Sequence, residues 1–332
     1  MNKKLILFLI SLIFISGCGY FAGNVVYDSS DNDMPKDNIS INVHFCPRDD
    51  CLSQLVNLAK ESYDIKCAFY DLNLPELVEM LETKSKFIPV KLVVDNRNYK
   101  KLENLSFVKY DNNNQLMHNK FCIFDLGSKK VLTTGSHNPT LRDTEKNNNN
   151  LLVIHSSHLV ANYEEEFEEL WDLKFSSGDK VKIPRFNSSG IIIENYFCPE
   201  DSCELIVAKT LNRAEKRIYF MTYSFTSDEI GSVILNKFKQ GLDIKGIMEK
   251  TQVSQYSEYQ MFVDNGIDVI KDYNRYNMHH KVFIVDDTVI TGSYNPTSAG
   301  NSRNDENLLI IHDLGLAALY AKEFNLLRNN KS

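Results

Sequence analysis

The sequence has no long run of basic residues, and its formal net charge is −7 over 332 residues. Proteins that bind duplex DNA without sequence preference depend on many Lys and Arg contacts with phosphate, so this composition argues against that class. A local basic groove can still exist within an acidic total. Nucleic-acid substrates therefore stay open.

The sequence also lacks an apolar run long enough for a stable membrane span. Its most apolar stretch, Leu5–Ile15, is short for that purpose and follows two lysines. Small residues and then Cys18 come directly after it, which is typical of a secretory signal with a lipobox. We expect residues 1–18 to be a lipoprotein-type signal peptide and Cys18 to become the lipidated residue. An uncleaved anchor helix is the alternative.

Residues 19–40 are polar and rich in Asp, Asn and Ser, which indicates a flexible tether. With either kind of N-terminus, we expect the folded part to lie outside the cytoplasm. It would be anchored at the cell envelope as a lipoprotein, or secreted. Removal of Lys3 and Lys4 with the signal would change the net charge to −9.

The rest of the chain contains two copies of one pattern. Residues 41–175 form the first copy, 176–190 a linker and 191–329 the second copy. In each copy predicted strands alternate with predicted helices, so we expect two α/β sandwich halves, each built around a mixed sheet.

The polar residues of the pattern recur at the same spacing. Met-His-Asn-Lys-Phe-Cys-Ile-Phe-Asp occupies 117–125, and Met-His-His-Lys-Val-Phe-Ile-Val-Asp occupies 278–286. A Gly-Ser-x-Asn-Pro-Thr sequence follows each of them. The recurring residues are His118, Lys120, Asp125, Ser136 and Asn138 in the first copy, and His279, Lys281, Asp286, Ser293 and Asn295 in the second.

These residue types suit the cleavage of a phosphodiester without a metal. Lysines can neutralise the non-bridging oxygens, and the asparagines can donate hydrogen bonds to them. One histidine can attack phosphorus while the other protonates the leaving group, which gives a phosphohistidine intermediate. A single copy offers one histidine and the duplication offers both. Isolated His-x-Lys pairs are usually just solvated, but recurrence of exposed polar residues in two divergent copies favours function.

The doubled motif, His-x-Lys-x4-Asp with Gly-Ser-x-Asn downstream, resembles the phospholipase D superfamily from about Ile41 to Leu327. The resemblance implies α/β/α halves related by a pseudo-two-fold axis, with one active site at the seam within a single chain. No metal, cofactor or obligate partner chain is implied. The resemblance also implies that His118 is the nucleophile and His279 the acid, while Asp125 and Asp286 are structural residues at strand ends.

The sequence departs from the family pattern at one place. Many members carry, after Gly-Ser-x-Asn, an acidic residue that hydrogen-bonds an active-site histidine. Glu306 fits this role in the second copy, but Asn149 stands at the matching position of the first. An amide can orient a histidine but gives it no charge support. If the contact crosses the seam, Glu306 serves His118; if it stays within one repeat, His279 becomes the better nucleophile.

Further cysteines, two tyrosines and one histidine are secondary candidates. The pairs Cys46/Cys51 and Cys198/Cys203 predict one local disulfide per repeat, with a structural zinc joining all four as the alternative. Cys67 and Cys122 lie in apolar strands and are expected to be buried small hydrophobes. Tyr70 and Tyr223 either line the seam or belong to the core, and His137, beside Asn138, is a candidate for contact with the site.

The substrate is less determined than the reaction class. Membrane tethering and acidic charge favour a phospholipase D-type enzyme that hydrolyses or exchanges phospholipid headgroups. The small size of the repeats instead favours a nuclease of the endonuclease branch, acting on DNA or RNA. A surface-binding protein with weak catalysis is the third hypothesis, and Asn149 is its only support.

Overall fold

The computed structural model describes residues 34–188 and 190–330. These residues belong to one compact unit that begins at Met34. The predicted signal peptide, its Cys18 and most of the predicted tether lie outside the described residues. Within the described part of the chain, no helix is both long enough and apolar enough to cross a membrane.

The first half contains eight strands and four helices within the described residues. The strands are β1 (Lys36–Asp37), β2 (Ser40–Cys46), β3 (Asp64–Phe69), β4 (Val90–Val94), β5 (Val108–Tyr110), β6 (Lys120–Asp125), β7 (Lys130–Gly135) and β8 (Asn149–His155). The helices are α1 (Cys51–Glu61), α2 (Pro75–Ser85), α3 (Leu141–Glu145) and α4 (Ser157–Trp171).

The second half repeats this series. Its strands are β9 (Arg185–Ser188), β10 (Ile191–Cys198), β11 (Arg217–Thr222), β12 (Asp243–Met248), β13 (Asp268–Lys271), β14 (Lys281–Val285), β15 (Thr288–Gly292) and β16 (Glu306–His312). Its helices are α5 (Cys203–Asn212), α6 (Asp228–Lys239), α7 (Tyr259–Asp264), α8 (Ser298–Ser302) and α9 (Leu314–Asn329).

Both halves form mixed sheets with the same strand order. The first sheet runs β2-β8-β7-β6-β3-β4-β5, and the second contains the equivalent series β10-β16-β15-β14-β11-β12-β13. In each sheet the strand after the His-x-Lys motif is antiparallel to its neighbour on both sides. The predicted fold class, two related α/β halves with mixed sheets, is confirmed.

Two short strands depart from the predicted organisation. β1 lies within the predicted tether, and β9 lies within the predicted linker. They pair with each other in parallel, and β9 also pairs with β10, so both extend the second sheet. The segment ahead of the first repeat is therefore hydrogen-bonded to the second repeat. Periodicity could not reveal this because a two-residue strand has none.

The largest apolar core lies between the two repeats. It joins residues of both sheets with apolar residues of α4 and α9, including Tyr163, Phe167, Tyr320 and Phe324. Two smaller cores lie beneath α1 and α2 on one sheet and beneath α5 and α6 on the other. Because the central core contains residues of both repeats, burial of apolar surface holds the seam closed.

Three disulfides are formed among the described residues. Cys46–Cys51 and Cys198–Cys203 confirm the predicted local pairs, and because their sulfurs are already bonded, the zinc alternative is wrong.

The third disulfide joins Cys67 to Cys122, which corrects their interpretation as unpaired buried residues. These two cysteines face each other on antiparallel strands β3 and β6. Phe220 and Phe283 form the equivalent cross-strand pair in the second half.

The glycine of each Gly-Ser-x-Asn sequence is required by the backbone. Gly135 has φ +139° and Gly292 has φ +137°. A Cβ atom at either position would lie 2.3 Å from a backbone oxygen of the next strand, that of Asn150 or of Asn307. Only glycine allows this close approach, which turns the chain into the site.

Candidate active site

Each His-x-Lys loop lies against the opposite repeat. The backbone N–H of His118 donates to the carbonyl of Asp305 at 3.0 Å, and that of His279 donates to the carbonyl of Asn148 at 2.8 Å. Isolated parallel β-bridges join the residues just before the two histidines to the same opposite segments. These reciprocal contacts bring both motifs into one site at the seam.

His118 is oriented by a carboxylate from the second repeat. Its Nδ1 atom lies 2.7 Å from Oε2 of Glu306, and the Ser293 hydroxyl donates to the same oxygen at 2.7 Å. Glu306 is fully buried and His118 is 7% exposed. Of the two arrangements left open by the sequence, the one that crosses the seam is present. Donation from Nδ1 leaves Nε2 with a free lone pair.

His279 is oriented by an amide from the first repeat. Its Nδ1 atom lies 2.8 Å from Oδ1 of Asn149. Ser136, the counterpart of Ser293, lies 3.4 Å from the same amide oxygen and 3.0 Å from Oδ1 of Asn150. The two halves thus hold their histidines in matching ways, with a carboxylate for one ring and an amide for the other.

The two lysines are buried beside the histidines. Nζ of Lys120 donates to the carbonyl of His118 at 2.5 Å, and Nζ of Lys281 donates to the carbonyl of His279 at 3.0 Å. Lys120 is 1% exposed and Lys281 is 3% exposed. Burial lowers the pKa of Lys120 to about 8, and burial together with the charge of Lys120 holds the pKa of Lys281 well below its usual range.

Burial also controls the protonation of the rings. It holds the pKa of His118 well below its usual range, and the charges of Lys120 and Lys281 add to the effect. Burial and the charge of Lys281 likewise hold the pKa of His279 well below its usual range. Burial raises the pKa of Glu306 to about 8. Both imidazoles are therefore neutral at neutral pH before an anionic substrate binds.

Two tyrosines flank the histidines. The ring centroid of Tyr70 lies 4.9 Å from that of His118, and Tyr223 lies 4.7 Å from His279. Each tyrosine ring also lies 5.2 Å from the Nζ atom of the lysine in its own repeat. Both are half-buried. These two tyrosines therefore line the seam and do not belong to the core.

The asparagines of the two copies have different surroundings. Nδ2 of Asn138 donates to Oδ2 of Asp143 at 2.6 Å, so this donor already has a partner. The side-chain oxygens of Asn138 and Asn295 are buried and have no hydrogen-bond partner among the described residues. Donation by both asparagines to phosphate stays a prediction, and at Asn138 it would compete with Asp143.

The motif aspartates hold turns. Oδ1 of Asp125 accepts from the Gly127 N–H at 2.7 Å. The carboxylate of Asp286 accepts from three successive backbone N–H groups, those of residues 215 to 217, at 2.7–3.0 Å. Asp125 therefore holds the turn at the end of β6, and Asp286 holds the bend that leads into β11.

The family described as "Cardiolipin synthase, PLD-like domain" matches residues 33–171 and 207–328, which include both motifs. The chain belongs to the phospholipase D superfamily. A "Phospholipase D" of Rickettsia felis (strain ATCC VR-1525 / URRWXCal2) is 30% identical over 167 residues, covering 48% of this chain and 82% of that protein. Membership of the superfamily makes this chain a phosphodiesterase-type hydrolase.

Two further comparisons agree with the superfamily fold. A "Mitochondrial cardiolipin hydrolase" of Mus musculus is 40% identical over 118 residues, covering 35% of this chain and 53% of that protein. The crystal structure of phosphatidylserine synthase from Haemophilus influenzae Rd KW20 superposes with a TM-score of 0.64 at 13% identity. It covers 90% of this chain and 89% of that one, so the whole two-repeat arrangement is shared.

The site also contains a buried carboxylate, Asp143, that the sequence patterns did not predict. Oδ2 of Asp143 lies 3.5 Å from Nδ1 of His279 and accepts from both the backbone N–H and the side-chain amide of Asn138. His137 lies one position before Asn138 and bonds through Nε2 to the Thr144 hydroxyl at 2.9 Å. Asp143 has no acidic counterpart in the second copy, so a search for recurring residues could not find it.

A buried polar network beneath the site of this superfamily member also joins the repeats. Nδ2 of Asn307 donates to Oδ1 of Asn119 at 2.8 Å, and Oδ1 of Asn307 accepts from the hydroxyl of Tyr163 at 3.2 Å. In the other half, Nδ2 of Asn150 donates to the Tyr320 hydroxyl at 3.0 Å. The signal was present in the sequence, because the two asparagines are equivalent and follow Asn149 and Glu306 directly.

Proposed function

We propose that the protein is a phosphodiesterase that acts without a metal through a phosphohistidine, and that it hydrolyses or transfers phospholipid headgroups. One observation carries the proposal. Two buried histidines meet at the seam, each with Nδ1 held by the opposite repeat and with a buried lysine beside it. Chemistry at phosphorus is thereby left to the Nε2 atoms, of which that of His279 also lies 3.2 Å from Nζ of Lys281.

The first step forms a covalent intermediate. Nε2 of His118 donates its lone pair to phosphorus while the bond from phosphorus to the leaving alkoxide breaks. His279, protonated in the complex with the anionic substrate, gives its Nε2 proton to that alkoxide. Lys120 and Lys281, both buried, offset the negative charge on the non-bridging oxygens.

The second step releases the phosphoryl group. His279, now neutral, takes a proton from water or from an acceptor alcohol as the oxygen attacks phosphorus. The bond from phosphorus to Nε2 of His118 breaks, and both histidines return to their initial states. Water gives hydrolysis, and an alcohol gives headgroup exchange.

Two exposed apolar residues in segments that begin at the motif end of the sheets support the lipid substrate. Leu141, at the start of α3, is 46% exposed, and Tyr256, in the loop after β12, is 74% exposed. Both follow strand ends on the side of the sheets where the histidines lie. Both curated relatives described above also have names of lipid phosphodiesterases. A membrane anchor at Cys18 would hold the protein at a bilayer.

A nuclease activity is the second candidate. The half-buried rings of Tyr70 and Tyr223 lie directly beside the two histidines, and aromatic faces at such positions can stack with bases of a single strand. Arg142, next to Leu141, is exposed and could contact phosphate.

The experiment compares both substrates with the same protein. Purified full chain is incubated with EDTA and either mixed phospholipid vesicles or single-stranded DNA or RNA, and released headgroup and nucleotide fragments are quantified. His118→Ala and His279→Ala serve as inactive controls. We expect headgroup release that requires both histidines and persists in EDTA. Histidine-dependent cleavage of DNA or RNA without headgroup release would overturn the lipid assignment, and activity that EDTA abolishes would overturn the metal-free mechanism.

A further inference from the structure

We propose that Asp143 is the positioning carboxylate that supports positive charge on His279, at a different place in the chain from the carboxylate that serves His118. The inference rests on the proposed function, because it concerns the proton that His279 carries between substrate and water. It identifies a residue on which the general acid depends and which the motif does not contain.

The first observation is the position of the carboxylate. Asp143 is 5% exposed, and its Oδ2 atom lies 3.5 Å from Nδ1 of His279. Its remaining contacts fix its direction: Oδ2 accepts from Asn138, and Oδ1 accepts from Asn147. A buried carboxylate at this distance favours the imidazolium over the neutral ring.

The second observation is that the two repeats carry an acidic residue at different equivalent positions. The Thr140 hydroxyl accepts from the N–H of Asp143 at the start of α3, and the Thr297 hydroxyl accepts from the N–H of Gly300 at the start of α8. Asp143 and Gly300 are therefore equivalent positions. A Cβ atom at Gly300 would lie 2.3 Å from the Asn295 carbonyl, so this position leaves no room for a side chain.

With this distribution of acidic residues, each histidine has one carboxylate beside it. The second repeat has Glu306 and no side chain at 300, while the first repeat has Asn149 and a carboxylate at Asp143. In the first repeat two residues divide what Glu306 does alone. Asn149 makes the direct hydrogen bond that orients the ring, and Asp143 provides the charge.

The electrostatics agree with this division. Burial, Lys281, Lys120 and His118 all lower the pKa of His279, and Asp143 is the group that opposes them. Burial alone would raise the pKa of Asp143, but His279, His137 and the donated amides outweigh it and lower that pKa to about 2. The carboxylate therefore stays ionised throughout the working range of an imidazole.

A purely structural role is the competing explanation, since Asp143 also lies in the first turn of α3 and holds Asn138 and Asn147 in place. Asp143→Asn separates the two roles, because it keeps the size of the side chain and removes its charge. We expect kcat to fall roughly 10- to 100-fold with little change in KM, as for other groups that orient and charge a catalytic histidine.

Rescue gives the sharper test. Asn149→Glu places a carboxylate where the second repeat has Glu306. We expect this change to lower kcat in the wild-type background, where two carboxylates would repel each other, and to restore it in the Asp143→Asn background. Such a reversal of sign in a double-mutant cycle does not arise from loss of a turn contact. Glu145→Gln, an exposed neutralisation on the same helix, is the matched control and should leave kcat unchanged.

A direct readout keeps this inference separate from the proposed function. The pKa of His279 is measured in full chain by NMR titration of ring signals, with thermal unfolding recorded to show that each variant folds. We expect a lower pKa in Asp143→Asn and recovery in the double variant. An unchanged pKa, or a loss of kcat that Asn149→Glu fails to restore, would overturn the role of Asp143. Absence of His118-dependent phosphodiester cleavage in the wild type would instead overturn the proposed function and leave the titration result standing.

Discussion

Nδ1 of His118 and Oε2 of Glu306 lie 2.7 Å apart, although the two residues are separated by 188 positions and belong to different repeats. The hydrogen bond exists only when the repeats are docked. Correct docking of the two halves is therefore a condition for catalysis as well as for stability. Changes in the central core should affect activity through the distance between this ring and its carboxylate.

Loss of either histidine should reduce turnover by about 10²–10⁴-fold or more, since each is needed for proton transfer or attack. Their roles can be separated with a phosphodiester that releases p-nitrophenolate, because this leaving group departs without a proton. We expect His279→Ala to accumulate phosphorylated protein and His118→Ala to form none, as measured by mass spectrometry. Phosphorylated protein in His118→Ala alone would exchange the two roles.

The pH profile of turnover should be bell-shaped with its maximum near pH 8. Glu306 has a pKa raised to about 8 and acts as an ionised acceptor, so activity should rise as pH increases through that value. Lys120 has a pKa lowered to about 8 and acts as a cation, so activity should fall as pH increases further. Glu306→Gln should remove the rising limb, and Lys120→Arg should move the falling limb to higher pH. A profile unchanged by both variants would contradict these assignments.

The Cys67–Cys122 disulfide should stabilise the protein more than a local one does. It links residues 55 positions apart, whereas Cys46 and Cys51 are 5 apart. The chain-entropy model gives about 4 kcal/mol for the long loop and about 2 kcal/mol for the short one. Urea unfolding of the two double Cys→Ala variants should show this order. Free thiols at positions 67 and 122 in non-reduced protein would show that the bond does not form.

Gly292→Ala should destabilise the protein by roughly 3 kcal/mol or more, because strain at positive φ is added to a 2.3 Å approach to the Asn307 oxygen. Gly241→Ala is the matched control, since Gly241 also has a positive φ but nothing lies within 4 Å of its Cβ position. It should cost only about 1–2 kcal/mol. Equal losses in thermal unfolding would mean that the close approach has no cost.

The sequence was sufficient for the fold and for the residues that recur in both copies. His118 and His279 could be found because the same polar residue types return at the same spacing, although both rings are buried in the structure. Whether Glu306 contacts the histidine of its own repeat or of the other repeat could not be predicted. That choice depends on how the repeats dock, and the sequence of neither copy shows the docking. The Cys67–Cys122 bond depends on the register of two strands. Asp143 has no counterpart, so comparison of the copies could not reveal it.

Two identical chains meeting across a symmetric seam would give both histidines the same neighbours, and every mutation would appear twice. Here both halves are encoded separately within one polypeptide, so each can change without its counterpart. The reciprocal contacts of His118 and His279 mean that a substitution in one half alters the ring carried by the other. Two copies within one polypeptide thereby permit specialisation, since the surroundings of one ring can change while those of the other stay the same.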